Sequence, residues 1–243
     1  MNPIHIITIS DGNIDDLTLT LKSINSQNYR NFKNIIISKT KIVGLNKKLI
    51  TKKRLFYHKK NSSIYEAMNY GIKKSKNNYV FFLNAGDIFS TKSSLKKIKK
   101  HLNPEACLMY VSILKNNNDY FIPKKNIFFS KNFLSHNSFI RPPNREDLGF
   151  NAENKITADG EWMKYNIKKF SIKKIYSIIT IFYLGGISSL PSKRSIQMKL
   201  NTGKISIMKE FIKLILLKIV GKKKFFKIIY YFKYNKIDPN LIK

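Results

Sequence analysis

The chain has a single cysteine, Cys107, in 243 residues, which excludes an internal disulfide. Its four histidines are scattered, with no CxxC or HxxxH spacing, which argues against a structural zinc site. A reducing cytoplasm suits these absences. No window holds the roughly 18 uninterrupted apolar residues that a membrane-spanning helix requires. The amino-terminal MNPIHIITIS is short, β-branched and without a basic leader, so the expectation is a protein that is not exported.

Acidic residues are also scarce: 14 Asp and Glu stand against 46 Lys and Arg, a net charge of +32. Such a balance fits nucleic acid or an anionic membrane surface. Nucleic acid is disfavoured, because nearly all the cations are Lys, because the excess travels with abundant Ile and Asn as an AT-rich coding sequence would produce, and because no nucleic-acid module is recognisable. Part of the charge has a local address. From Lys193 onward lysines are interleaved with apolar and aromatic residues, opposed only by Glu210 and Asp238, a pattern suited to a negatively charged bilayer.

What is abundant is apolar: 43% hydrophobic residues are enough for one large α/β domain with a modest appendage. Residues 4–9 read as a first strand, followed by a polar turn and a helix from about Asp15 to Gln27, with Leu17, Leu21 and Ile24 on one stripe and Asp15 or Asp16 as its cap. Phe32 to Ile37 and Arg54 to His58 read as the next strands. Ile64, Met68 and Ile72 fall at helical spacing and lead into the apolar run Tyr79 to Leu83. Helix Ser94 to Leu102, strands Cys107 to Leu114 and Asp119 to Ile122, a helix opened by Ala158-Asp159-Gly160-Glu161-Trp162, and strand Ile175 to Leu184 follow. This alternation predicts a mostly parallel sheet flanked by helices. Residues 193–243 read as a basic helical tail, Lys204 to Val220 and Lys222 to Tyr234, broken at Gly221. The first stretch carries a broad apolar surface and the second interleaves aromatics with lysines, as interfacial helices do; packing of both on the preceding domain is the competing reading.

The strand Tyr79 to Leu83 ends in Asn84-Ala85-Gly86-Asp87, which sets a carboxylate where open α/β sheets bind their ligands. Together, SIYEAMNYGI (63–72) and FFLNAGD (81–87) resemble the signature of the family 2 glycosyltransferases with a GT-A fold, in particular the branch that builds bacterial surface polysaccharides such as O-antigen. The resemblance spans residues 1–192. It implies an inverting transfer of a sugar from a nucleotide-diphosphate sugar, a UDP-sugar, to a polyprenyl-diphosphate-linked glycan acceptor, by an enzyme peripheral on the inner face of the bacterial cytoplasmic membrane.

That chemistry needs a neutralised diphosphate, a base for the acceptor hydroxyl, and a donor site. The resemblance assigns Asp87 as the ligand of Mn2+ or Mg2+, although Asn84 and Gly86 replace the carboxylates usual in this turn. It assigns Asp159 as the base and Glu161 to the acceptor. Thr8, Ser10 and Asp11, in and after the first strand, are expected at the donor, with Tyr65, Asn69, Asn84 and Asp87; Glu66 is a further candidate. His136 and Ser138 resemble an HQS-like element on the acceptor or diphosphate side. The segment Ser38-Lys39-Thr40-Lys41 and the position of Asn61 lack the Asp that the family carries there. These losses motivate the alternative of an inactive relative that binds a nucleotide-sugar or partners an active transferase.

Overall fold

A computed structural model describes residues 2–116, 119–123, 138–143, 149–154, 158–183 and 207–239. Its centre is strand β1 (Ile4–Ser10), buried along its whole length. Parallel strands β2 (Phe32–Ser38) and β4 (Tyr79–Phe82) flank it, and β3 (Arg54–His58) pairs with β2. A central strand covered on both sides is buried at every position, so β1 and β4 show no alternation of burial, and the polar His5, Thr8 and Ser10 are buried along with the isoleucines of β1. Beyond β4 the sheet continues through β8 (Phe139–Arg141), β6 (Ala106–Asn116) and β7 (Asp119–Pro123), each antiparallel to the last. β9 (Ser171–Tyr183) runs parallel to β6 and also pairs with the short β5 (Ile88–Phe89).

Helix α1 (Ile14–Asn25) covers one face, packing Leu17, Leu21 and Ile24 against Ile4, Ile6 and Phe81; α3 (Ser94–Lys99) adds Leu95 and Ile98 on the same side. The other face is covered by α2 (Ile64–Ser75) and α4 (Ala158–Lys169), whose Met68, Ile72 and Trp162 pack against Ile7, Val80 and Phe82. Alternate residues of β4 thus serve opposite cores. Gly71 lets α2 lie close to the sheet, since a Cβ there would fall 2.5 Å from Ile7 Cγ2.

The architecture is the mixed α/β arrangement expected, with its parallel strands at the centre. Several local expectations differ. The cap of α1 is Asn13, whose side chain accepts from the backbone N–H groups of Asp15 and Asp16. Those two carboxylates occupy the first turn, where they complement the helix dipole instead of capping it. Strand β9 starts earlier than the apolar run, because pairing with β6 extends it through exposed Ser171 to Lys174. In the tail, α5 (Ile207–Lys233) is broken at Gly221 (φ 72°, ψ 165°), as the sequence suggests. It is followed by an unexpected strand, β10 (Tyr234–Ile237), paired antiparallel with β7 and tied by Lys236 to Asp119 at 2.7 Å.

Candidate active site

After β4 the chain turns through Leu83 to Asp87 beside the carboxyl end of β1. Leu83 N donates to Ile7 O and Ala85 N to Ile9 O, both at 3.0 Å. Gly86 adopts φ 96°, a conformation that favours glycine. Its N–H reaches Asp16 O (3.1 Å) and Thr20 Oγ1 (3.0 Å) on α1. The fully buried Thr20 hydroxyl in turn donates to Asp87 O (2.7 Å) and Asn84 O (3.2 Å). One side chain of α1 therefore holds three residues of the turn. The Asp87 side chain is 4% exposed, and its Oδ1 accepts from Tyr183 N at 3.3 Å. Burial and, secondarily, the charge of Asp87 push the Tyr110 hydroxyl well above its ordinary pKa, so Tyr110 remains protonated beside it.

A second carboxylate approaches from the other face. Asp159 lies inside the first turn of α4, the helix that Ala158-Asp159 opens. Its Oδ1 accepts from Gly160 N (2.9 Å) and from the Tyr65 hydroxyl (3.4 Å). Burial, and then the Asp159 charge, push the Tyr65 hydroxyl far above its usual range, which keeps it a donor. Tyr65 is stacked on Phe150 (5.4 Å between centroids), which is stacked on Trp162 (4.7 Å); both Phe150 and Trp162 stand edge-on to Phe82, the last residue of β4. Phe150 is fixed by Asn69, which accepts from Phe150 N (2.6 Å) and donates to Phe150 O (2.9 Å). Gly149 leaves room for this clasp, since a Cβ there would fall 2.4 Å from Asn69 Oδ1 and push the side chain aside.

The remaining expected site residues divide. Ser10 and Asp11 shape the loop after β1: Ser10 Oγ accepts from Gly12 N (3.1 Å), and the exposed Asp11 accepts from Asn13 N (3.0 Å). They lie at the same end of the sheet as Asn84 and Asp87. Thr8 lies one layer down, its hydroxyl accepting from Asn34 Nδ2 (3.0 Å) in a buried network with Arg54, whose guanidinium burial depresses to about 10. Glu66 closes a capping box with Ser63, accepting from Ser63 N at 2.6 Å. Ser138 is buried at the start of β8, next to Phe139, which packs edge-on to Trp162. Glu161 is half-buried in the first turn of α4. His136 lies outside the described residues. Ser38 pairs with Ser10 at the strand ends, and its buried Oγ has no hydrogen-bond partner among the described residues.

Sequence reasoning missed Thr20, Phe150 and Trp162. Thr20 did leave a signal: it falls on the apolar stripe between Leu17, Leu21 and Ile24, where a polar side chain needs a partner.

Among the described residues no cluster of three or more His, Cys, Asp or Glu side chains forms a cation cage. A single carboxylate, Asp87, whose N–H donates to Asn84 O at 3.0 Å, suits only a hard cation that brings most of its oxygen ligands with it as diphosphate and water.

Residues 5–157 match the family model described as "Glycosyl transferase family 2". No curated protein matches the chain. Among solved structures it is similar to S. aureus TarS 1–349 (TM-score 0.58, 15% identity, 74% of this chain and 60% of that one). The TarS 1–349 complex with UDP-GlcNAc gives TM-score 0.56 at 12% identity, over 86% of this chain and 69% of that one. The mannosyltransferase PcManGT from Pyrobaculum calidifontis, in complex with GDP-Man and Mn2+, gives 0.54 at 9% identity, over 88% and 64%. At these identities the likeness is one of fold. The chain spans about 60% of the length of the first TarS structure.

Proposed function

Since the chain belongs to glycosyl transferase family 2, its family model matching more than half of the sequence, we propose that it transfers a sugar from a nucleotide-diphosphate sugar, with inversion, to a polyprenyl-diphosphate-linked glycan in bacterial surface-polysaccharide synthesis. The observation that carries this reading is a carboxylate on either side of β4: Asp87, whose turn is held by Thr20, and Asp159, bonded to Tyr65, whose ring continues the Phe150–Trp162 stack that stands edge-on to Phe82.

In this reading the acceptor hydroxyl attacks the anomeric carbon while Asp159 takes its proton, and the bond from that carbon to the diphosphate oxygen breaks from the opposite side. Tyr65 donates to Asp159 and fixes the direction in which the carboxylate presents its other oxygen. Asp87 would hold Mn2+ or Mg2+ together with the donor diphosphate, and the ion, when bound, supplies positive charge against the departing diphosphate. Ser10 and Asp11 border the donor from the β1 loop, and Glu161 and Ser138 flank the acceptor side. A UDP-sugar is the donor proposed, in keeping with the UDP-GlcNAc complex of the TarS neighbour. The basic tail brings the enzyme to the inner face of the cytoplasmic membrane, where a lipid-linked acceptor is confined.

The test is a panel of nucleotide sugars with Mn2+ or Mg2+, scored for release of nucleoside diphosphate by the wild type, Asp87→Ala and Asp159→Asn. Release from one donor that both substitutions abolish supports the reading. Silence with every donor and with polyprenyl-diphosphate acceptors favours an inactive relative instead. That second reading rests on Ser38, Asn61, Asn84 and Gly86, which stand where the resemblance calls for carboxylates.

A further inference from the structure

The first half of α5 is apolar on two faces. Leu216, Leu217 and Val220 turn toward Phe225, Phe121 and Leu114, and so attach the helix to β6 and β7. Met208, Phe211, Ile212, Ile215 and Ile219 recur at helical spacing on a different face, and each is 51% to 75% exposed. Isolated exposed apolar side chains are ordinary, but five on one continuous stripe mark an interaction surface.

Three observations choose its occupant. The helix Ile207–Lys233 carries eight lysines against the single Glu210, and exposed Lys218 lies beside the stripe. A partner with negative charge spread over an apolar interior therefore matches it. A second copy would bring two lysine-rich helices of a chain of net charge +32 face to face, which opposes self-association. No helix among the described residues is long and apolar enough to cross a membrane, and Gly221 breaks α5 midway, so the element suits lying along a bilayer.

We propose that the Met208–Ile219 stripe of α5 docks in the plane of an anionic lipid bilayer, inserting its apolar side chains among the headgroups while β10 and the Leu216–Phe225 contacts hold the helix to the sheet. This deepens the membrane-surface part of the function proposed above. It is independent of which sugar is moved. The pairing of β10 with β7 gives it a mechanical consequence: the membrane-facing helix is held to the sheet at its middle, through Leu216 to Phe225, and just past its carboxyl end, through β10, so docking sets the orientation of the sheet that carries the site.

The experiment is co-sedimentation of the full chain with vesicles of phosphatidylcholine alone and with added phosphatidylglycerol, using the wild type, Ile215→Glu/Ile219→Glu and Lys218→Glu/Lys224→Glu. The wild type should bind the anionic vesicles at least about tenfold more tightly than the neutral ones, and each double variant should lose about tenfold or more of that affinity. Because the substituted side chains are exposed, melting temperature and donor hydrolysis should be unchanged. Anionic binding that survives Ile215→Glu/Ile219→Glu would show a charge effect without insertion and overturn the proposal. So would a wild-type dimer that this variant converts to monomer with no change in vesicle binding. A chain that hydrolyses donor but ignores vesicles sinks this inference alone, whereas one that binds vesicles and hydrolyses no donor sinks the transferase reading alone.

Discussion

Replacing Thr20 by Val keeps the shape of a fully buried side chain and deletes its hydroxyl. The loss is specific. Asp87 O gives up a 2.7 Å bond and Asn84 O a 3.2 Å bond, while Gly86 N keeps its bond to Asp16 O. A buried polar group left without its partner costs about 1–3 kcal/mol, and with one strong acceptor orphaned and a weaker one perturbed the expected destabilisation is about 2 kcal/mol. For a chain of this size that corresponds to a fall of roughly 4–8 °C in melting temperature. The effect on chemistry should be larger than the effect on stability suggests, because the residue released is the one proposed to face the diphosphate. A displacement of about 1 Å at a reacting group can cost on the order of a hundredfold in rate. The assay is thermal unfolding together with single-turnover donor cleavage for the wild type, Thr20→Val and Thr20→Ser. Serine retains the hydroxyl and should restore turnover to within a few-fold. A Thr20→Val protein that melts lower but turns over like the wild type would refute the claim that α1 positions the Asp87 turn.

Gly149→Ala should destabilise by about 1–3 kcal/mol, because its Cβ would meet Asn69 Oδ1 at 2.4 Å; in a background of Asn69→Ala the penalty should largely vanish, and urea melts of the four-protein cycle read the difference. His5 is buried with no partner for Nδ1 among the described residues, and burial, then Lys33, depress its pKa from 6.5 to about 4. Between those values the unfolded chain binds the extra proton, so the contribution of neutral His5 is complete above about pH 6.5 and is lost as pH falls toward 4, by at most about 3 kcal/mol. His5→Asn should flatten that part of the stability profile, and an identical slope in both proteins would contradict it. The Cys107 thiol is fully buried and pushed up to about 12, mainly by burial, so it should resist maleimide in native protein and react fully in denaturant.

What was legible in the sequence follows from how local each cause is. β4 declares itself as a continuous apolar run and β1 and β2 as isoleucine-rich segments, and Asp87 is conspicuous because the β4 run stops at a polar turn within a few residues. The same locality misled at Asp15 and Asp16, since either could cap a helix, and only the backbone geometry of Asn13 decides the matter. Strand β10, YNKI, has no apolar run to announce it and exists because β7 offers an open edge. Around the candidate site the decisive contacts are long-range: Thr20 reaches Asp87 across 67 residues, Asn69 reaches Phe150 across 81, and Tyr65 reaches Asp159 across 94.

A single sequence offers no warning of such pairs except indirectly, as with a hydroxyl standing on an apolar helix stripe. The same contacts bear on the missing carboxylates. Although Asn84 and Gly86 stand where carboxylates were expected, the turn keeps its shape through a buried threonine bonded to two of its carbonyls and one of its amides. Here the surviving carboxylate, Asp87, is held by one core of the sheet, and Asp159 is held by the other through Tyr65, Phe150 and Trp162. Their relative placement is therefore set by the packing of α1 and α4 against the two sides of β4. A core substitution on either face should alter turnover before it abolishes folding, which is the behaviour expected of a site whose two halves must meet at one strand end.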